Sequence, residues 1–148
     1  MSLLKNAGLQ VQEYIYDFSV DGGAVGTIDL SAKSGYAPLP TGSIVVDVMA
    51  KVDTAVTTGA SGTLAFGNGD DDDGLMAAIG AGSLTANAVF NAAGQDSALL
   101  WDGTNDHMTP YYIDDATTGA VQAKIETGAL TAGKVRVLVF YVGPGRDS

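Results

Sequence analysis

Alternation of apolar and polar residues along two stretches of the chain predicts two long β-strands. In residues 43–54, every second residue from Val46 to Val52 is apolar, as in a strand with one buried face. In residues 134–142 the same alternation starts at Val135, but the second face also becomes apolar toward the end of the stretch. This second strand is therefore predicted to be central in its sheet and covered on both sides.

Shorter runs rich in Val, Ile, Thr and aromatic residues predict further strands at residues 9–18, 25–30, 62–66, 98–101, 111–113 and 120–127. Twenty glycines, spread along the chain, separate these runs with turns. About eight short strands at this spacing are typical of sandwich folds. We predict an all-β, single-domain antiparallel β-sandwich, jelly-roll-like, over residues 14–148, preceded by an N-terminal arm at residues 1–13.

Helical signal is scarce. Only residues 74–79 are predicted to form a helical turn or two, directly after a run of aspartates. Residues 80–96 are rich in Ala, Gly and Asn, and we interpret them as a long surface connection.

Composition excludes several classes of protein. The 148 residues fit one domain, and the absence of cysteine excludes disulfides and thiolate metal sites. Seven Lys and Arg residues against seventeen Asp and Glu residues give a net charge of −10. Such a charge repels phosphate backbones, so we expect no nucleic-acid partner. No apolar run approaches the roughly 18–20 residues of a membrane span, so we expect no membrane partner.

An acidic loop at residues 68–74 contains four consecutive aspartates. Ca²⁺ prefers oxygen ligands, and Asp70 and Asp72 are the candidate ligands for it. The loop does not match the helix–loop–helix calcium pattern, because the closing Glu of that pattern would fall on Gly80. The alternative is a solvated turn whose charge limits aggregation. No other cofactor is expected.

Catalysis has little support in the sequence. His107 is the single histidine, and it lies in a loop-like segment without a nucleophile motif around it. We therefore expect a protein that is not an enzyme. Trp101, Tyr111 and Tyr112 would suit stacking on a sugar ring, although aromatic residues more often fill cores and subunit contacts.

The order of four segments resembles a known class of viral proteins. The segments are YDFSVDGGAVGTIDL (16–30), IVVDVMAKVDTAV (44–56), TLAFGNGD (63–70) and GALTAGKVRVLVFYV (128–142). Together they look like the small structural proteins of tailed bacteriophages known as head decoration, cement or auxiliary capsid proteins. The resemblance covers most of residues 14–142 and carries no catalytic residue.

The resemblance implies a non-enzymatic virion protein on the head surface, assembled in the host cytoplasm. Its partners would be the major capsid protein of the same virion and further copies of itself. A homotrimer would match the local three-fold positions of an icosahedral shell. The alternative is a carbohydrate-binding or calcium-assisted β-sandwich module of a phage tail or fibre.

The N-terminal arm is the candidate for partner binding. Leu3, Leu4 and Lys5 stand out in an otherwise polar segment. Because chain termini are usually loose unless they are tied down, we expect these three residues to contact the capsid or an adjacent subunit.

Overall fold

The computed structural model describes residues 8–92 and 110–144, which form two antiparallel β-sheets. The first sheet contains β1 (Leu9–Asp17), β3 (Ile44–Thr58), β6 (Val89–Asn91), β7 (Tyr111–Tyr112) and β9 (Leu130–Val142). The second sheet contains β2 (Gly26–Asp29), β4 (Thr63–Gly67), β5 (Met76–Gly80) and β8 (Gln122–Glu126). The predicted antiparallel β-sandwich is confirmed.

The strand order alternates between early and late parts of the chain. In the first sheet the order is β1-β9-β3-β6, and β7 also pairs with β3. In the second sheet the order is β2-β8-β4-β5. Neighbours in space are therefore mostly distant in sequence, and the core forms only when the two ends of the chain come together.

In residues 8–92 and 110–144, helical structure is limited to short connections. Two four-residue helices, α1 (Phe18–Asp21) and α2 (Ala116–Gly119), and two 3₁₀ turns at Leu30–Ala32 and Ala81–Ser83 join strands within the described ranges. Across the same ranges, no helix has the length and apolar character that a membrane crossing needs.

The core lies between the sheets. Alternate residues of β8 and β9 are buried, whereas residues 64–67 of β4 are all buried. On β3 and β9 the pairs Val48–Val139 and Val52–Val135 are opposed in register, and all four side chains are buried. Aliphatic side chains dominate this core, and the largest fully buried residues include Tyr14, Tyr16, Phe66, Leu64, Leu75, Met76, Ile113 and Ile125.

Two buried tyrosines keep their hydroxyl groups hydrogen-bonded. The Tyr14 hydroxyl donates to the Ala37 carbonyl at 2.7 Å, and the Tyr16 hydroxyl donates to the Gly22 carbonyl at 2.8 Å. Burial, followed by the nearby negative charge of Asp21, raises the pKa of Tyr16 to about 12. These bonds let β1 bury aromatic rings without leaving a polar atom unsatisfied.

Long strand β9 is central, as predicted, since it pairs with β1 on one side and β3 on the other. Among the described residues, the expected cover of the second face is only partial. Val135, Val137 and Val139 are buried, but Leu138 and Phe140 on the opposite face are only partly buried. No second layer of the described residues packs on that outer face.

Two expectations about the middle of the chain are wrong. Residues 74–79 do not form a helical turn, because residues 76–80 pair with β4 as strand β5. A six-residue segment is too short to hold a helix by itself, so pairing with a neighbouring strand prevails. Residues 80–92 are not simply a surface connection. Ala81, Leu84 and Ala92 are buried, and β6 pairs with β3.

The N-terminal boundary differs from the predicted arm. Strand β1 begins at Leu9 and pairs with β9 along its whole length, so residues 9–13 belong to the first sheet. The predicted strand at residues 98–101 lies outside the described residues.

Truncating the core should cost far more stability than truncating the surface. We expect Leu64→Ala, at a site 1% exposed, to lower the free energy of unfolding by about 2–5 kcal/mol, because it leaves a cavity. The matched change Leu9→Ala, at a site 65% exposed, should alter it by less than about 0.5 kcal/mol. Urea unfolding measures both, and equal losses would contradict the placement of the core.

Candidate functional site

A buried asparagine organises the acidic loop between β4 and β5. The Oδ1 atom of Asn68 accepts hydrogen bonds from the backbone N–H groups of Asp70 and Asp71, both at 2.9 Å. The Asn68 backbone N–H donates to the Asp71 carbonyl at 2.8 Å. Asn68 is 1% exposed, so this turn is built around a fixed polar centre.

The acidic loop is tied to the segment that leads from β7 into α2. The Asn68 side-chain amide donates to the Tyr111 hydroxyl, and the Gly69 backbone N–H donates to the Thr117 carbonyl at 3.0 Å. Burial raises the pKa of Tyr111, and the nearby carboxylates of Asp70 and Asp114 add to the effect. Asp70 and Asp114 therefore lie at the same end of the sandwich.

Three of the four consecutive aspartates converge. Carboxylate oxygens of Asp71, Asp72 and Asp73 all lie within 4.8 Å of one another. Asp72 also accepts a hydrogen bond from the Lys124 ammonium group at 2.9 Å, which neutralises part of the charge. Asp70 is outside this group of three and is exposed.

Electrostatics within the loop oppose full ionisation. Burial, together with hydrogen bonding and repulsion from Asp73, raises the pKa of the Asp71 carboxyl. An open depression of about 500 Å³ adjoins the loop. It is lined by Thr27, Asn68, Gly69, Asp70, Asp71, Asp72 and Gln122. Clustered oxygen ligands beside solvent are the chemistry that a hard cation such as Ca²⁺ prefers.

A second candidate surface is the outer face of the first sheet, and one half of it is charged. Arg136 donates two hydrogen bonds to Asp53, at 2.9 and 3.0 Å, and Lys51 donates a third at 2.8 Å. These hydrogen bonds lower the pKa of Asp53, and those from Arg136 have the largest effect. Glu13 lies 3.7 Å from the same guanidinium group, so Lys51, Asp53, Arg136 and Glu13 form one network of charges.

The other half of the outer face is apolar. The register places Leu9 opposite Val142, Val142 opposite Ile44, and Ile44 opposite Tyr112. Directly opposed residues point to the same face of a sheet. These four residues therefore form one line across four strands, which we call the apolar row. Leu9 is 65% exposed, Tyr112 57% and Ile44 40%.

Only some of the candidate residues predicted from the sequence lie within the described ranges. Asp70 and Asp72 lie in the acidic loop, but only Asp72 joins the converging carboxylates. Leu3, Leu4 and Lys5 lie outside the described residues, as do Trp101 and His107. Metal binding, partner binding by the arm and sugar binding therefore stay predictions.

Sequence reasoning missed the residues that shape the acidic loop. Asn68 and Tyr111 are 43 positions apart, and Lys124 lies 52 positions from its partner Asp72. The spacing of Asn68 to Asp71 was a usable local signal, because asparagine often closes such turns through its side chain. The long-range partners carried no signal in the sequence.

Replacing one carboxylate should remove the repulsion within the loop. In the folded chain Asp71 keeps its proton to a higher pH than in the unfolded chain, so its contribution to stability falls as the pH rises through its pKa. In the presence of chelator, we expect Asp71→Asn to raise the melting temperature at pH 7 and to lose this gain near pH 3. Asp53→Asn, the control, should lower it at pH 7, because the pKa of Asp53 is shifted the other way. Thermal unfolding at both pH values measures the effect, and a destabilised Asp71→Asn at pH 7 would argue against repulsion.

Calcium binding predicts a ligand-dependent gain in stability. At a calcium concentration about 100 times the dissociation constant, the folded state should gain about 2.7 kcal/mol. Asp72→Asn should abolish that gain, and Asp47→Asn, which removes an equal charge from β3, should keep it. Melting curves with calcium and with EDTA test this, and identical curves for the wild-type protein would leave the loop as a solvated turn.

The sequence matches no protein-family model, and it matches none of the curated proteins with which it was compared. Its structure is similar to chains of three phage capsids. A chain of the capsid asymmetric unit of cyanophage Pam1 is 20% identical, with 92% of this chain and 85% of that chain covered and a TM-score of 0.48. A chain of the acidic stable capsid of Helicobacter pylori bacteriophage KHP30 is 15% identical, with 93% and 89% covered and a TM-score of 0.45. A chain of the capsid of Ralstonia phage GP4 is 17% identical, with 95% and 88% covered and a TM-score of 0.59. The β-sandwich of this chain is therefore a fold that also occurs in the GP4 capsid.

Proposed function

We propose that this chain is a non-enzymatic structural protein of a bacteriophage virion, which decorates or stabilises the capsid through protein–protein contacts. The similarity to a chain of the GP4 capsid carries the proposal, because it extends over nearly the full length of both chains. The resemblance of four sequence segments to phage head proteins supports it independently. The proposed location is the head surface of the virion, after assembly in the host cytoplasm.

The strand order supports a jelly-roll assignment. Sheets with the orders β1-β9-β3-β6 and β2-β8-β4-β5 each combine strands from both ends of the chain. Jelly rolls of eight strands in two sheets are common among viral capsid domains and lectins. In this assignment the two-residue strand β7 is an addition at the edge of β3.

The described surface suits adhesion better than catalysis. The depression beside the acidic loop is open, and so are those beside α1. Among the described residues, every buried side-chain nitrogen or oxygen atom has a hydrogen-bond partner. Catalytic groups often lie in clefts that shift their pKa values. A sandwich whose buried polar atoms are all hydrogen-bonded instead provides a rigid body for contacts with neighbours.

The proposed partners are the major capsid protein and further copies of this chain. We propose a homotrimer, because a trimer matches the local three-fold positions of an icosahedral shell. Many identical weak contacts on a lattice add up to stable attachment. Leu3, Leu4 and Lys5 are the proposed contacts from the arm.

Removing the arm should weaken attachment without unfolding the domain. We expect deletion of residues 2–8 to leave the circular dichroism spectrum and melting temperature unchanged, because β1 begins at Leu9. Occupancy on capsid particles that lack this chain should fall at least tenfold, as measured by cosedimentation. A double variant, Leu3→Ser with Leu4→Ser, and the single variant Lys5→Gln would separate apolar from charged contributions.

Two results would contradict these proposals. Unchanged occupancy of the deletion variant would exclude a role for the arm, and failure of the full chain to bind the particles would exclude the capsid function. Light scattering on the full chain and the deletion variant should give a trimer for both.

A further inference from the structure

The apolar row is an exposed feature that the fold itself does not use. Leu9, Val142, Ile44 and Tyr112 lie side by side on four strands, which span about 14 Å at the usual spacing of strands. Val11 and Phe140 are paired two residues further along β1 and β9, and they extend the same surface. Contiguous exposed apolar patches on proteins commonly mark sites of interaction.

The surroundings of the apolar row are negatively charged. Asp47 is opposite Phe140 across β3 and β9. Asp114 follows Tyr112 after one residue and is exposed, as is Asp70 at the same end of the sandwich. On this face Lys51 and Arg136 are engaged by Asp53 and Glu13. Lys134 lies further along β9, at the end of the strand pair opposite Asp17 and away from Val142. Among the described residues, none of Asp47, Asp70 and Asp114 is paired with a Lys or Arg side chain, so they present negative charge at the border of the row.

This charge pattern selects the occupant. A second copy of the chain, with a net charge of −10, would bring like charges to the border of the row. A surface with apolar side chains surrounded by Lys or Arg residues would instead pair with both parts. At this surface, charge complementarity thus favours a different, basic protein over a second copy of the chain.

We propose that the apolar row, with Val11 and Phe140, is the docking surface for a partner protein that presents apolar side chains bordered by Lys or Arg residues. This inference rests on the proposed function, in which that partner is the capsid shell. The inference adds a specific surface of the folded domain, distinct from the N-terminal arm, and a chemical class for the partner's contact surface.

Two lysine substitutions of equal charge test the surface. Ile44→Lys places a cation in the row, and Val20→Lys places one in α1, at a residue 71% exposed. Because α1 follows Asp17, Val20 lies at the opposite end of β1 from Leu9 and the row. On capsid particles lacking this chain, Ile44→Lys should reduce affinity at least tenfold, and Val20→Lys should leave it within twofold. Tyr112→Ser should also reduce affinity, and Asp70→Asn should weaken its salt dependence.

A second measurement does not depend on the virion. Hexylamine agarose carries both alkyl chains and positive charge, so it serves as a simple probe of the same chemistry. Wild type and Val20→Lys should elute at a higher salt concentration than Ile44→Lys. If the wild-type chain binds no particles, the proposed capsid partner is wrong, and the elution order still decides whether the surface has the stated chemistry.

Three results would overturn the inference. Equal particle binding and equal elution of the two lysine variants would show that the row is not a docking surface. Conversion of a trimer to a monomer by Ile44→Lys alone, seen by light scattering, would make the row a contact between copies. A large drop in melting temperature for Ile44→Lys, without one for Val20→Lys, would show that the chain's own residues cover the row.

Discussion

Antiparallel pairing of β3 with β9 is the constraint on which the rest of the structure depends. β9 also holds β1, and β3 carries β6 and β7 along its other edge. Val48 and Val139 are paired in register, and both are buried between the sheets. The register that forms the backbone hydrogen bonds of β3 and β9 therefore also determines which of their residues enter the core. Since β3 begins at Ile44 and β9 begins at Leu130, the two-layered fold requires segments that are far apart in the sequence to meet. The positions of both candidate surfaces follow from that meeting.

The acidic character of the chain is partly a structural device. Asp17, Asp29 and Asp115 accept backbone hydrogen bonds at the starts of short helical turns, where side-chain oxygens satisfy otherwise unpaired N–H groups. Others form ion pairs with basic side chains, as Asp53 does with Arg136 and Asp72 with Lys124. Within residues 8–92 and 110–144, Asp47, Asp70 and Asp114 form no ion pair with a Lys or Arg side chain. Carboxylates without an ion pair are thus available for recognition. Those of the acidic loop suit a cation, and those beside the apolar row suit a basic protein surface.

Alternating hydrophobicity correctly predicted most strands, the sandwich class and the central position of β9, because one buried face imposes a period of two on the sequence. It failed at β5 and β6, where Met76–Gly80 and Val89–Asn91 are short and held by pairing with distant strands. Local preference in such segments is weak, so the tertiary partner decides. The apolar second face of β9 was visible in the sequence, and in the described residues that face is only partly buried.

For the candidate sites, the sequence determined which chemistry is present, and the tertiary structure decided which groups meet. Four consecutive aspartates predict an acidic loop in any fold. That Asp71, Asp72 and Asp73 converge, while Asn68 bonds to Tyr111, depends on strands that adjoin only after folding. The apolar row is the stronger case. Leu9, Ile44, Tyr112 and Val142 are scattered over the whole chain, and strand register alone brings them into one line. Sequence patterns report which face of a strand is apolar, whereas register sets which strands share that face, because it arises from pairing between distant segments.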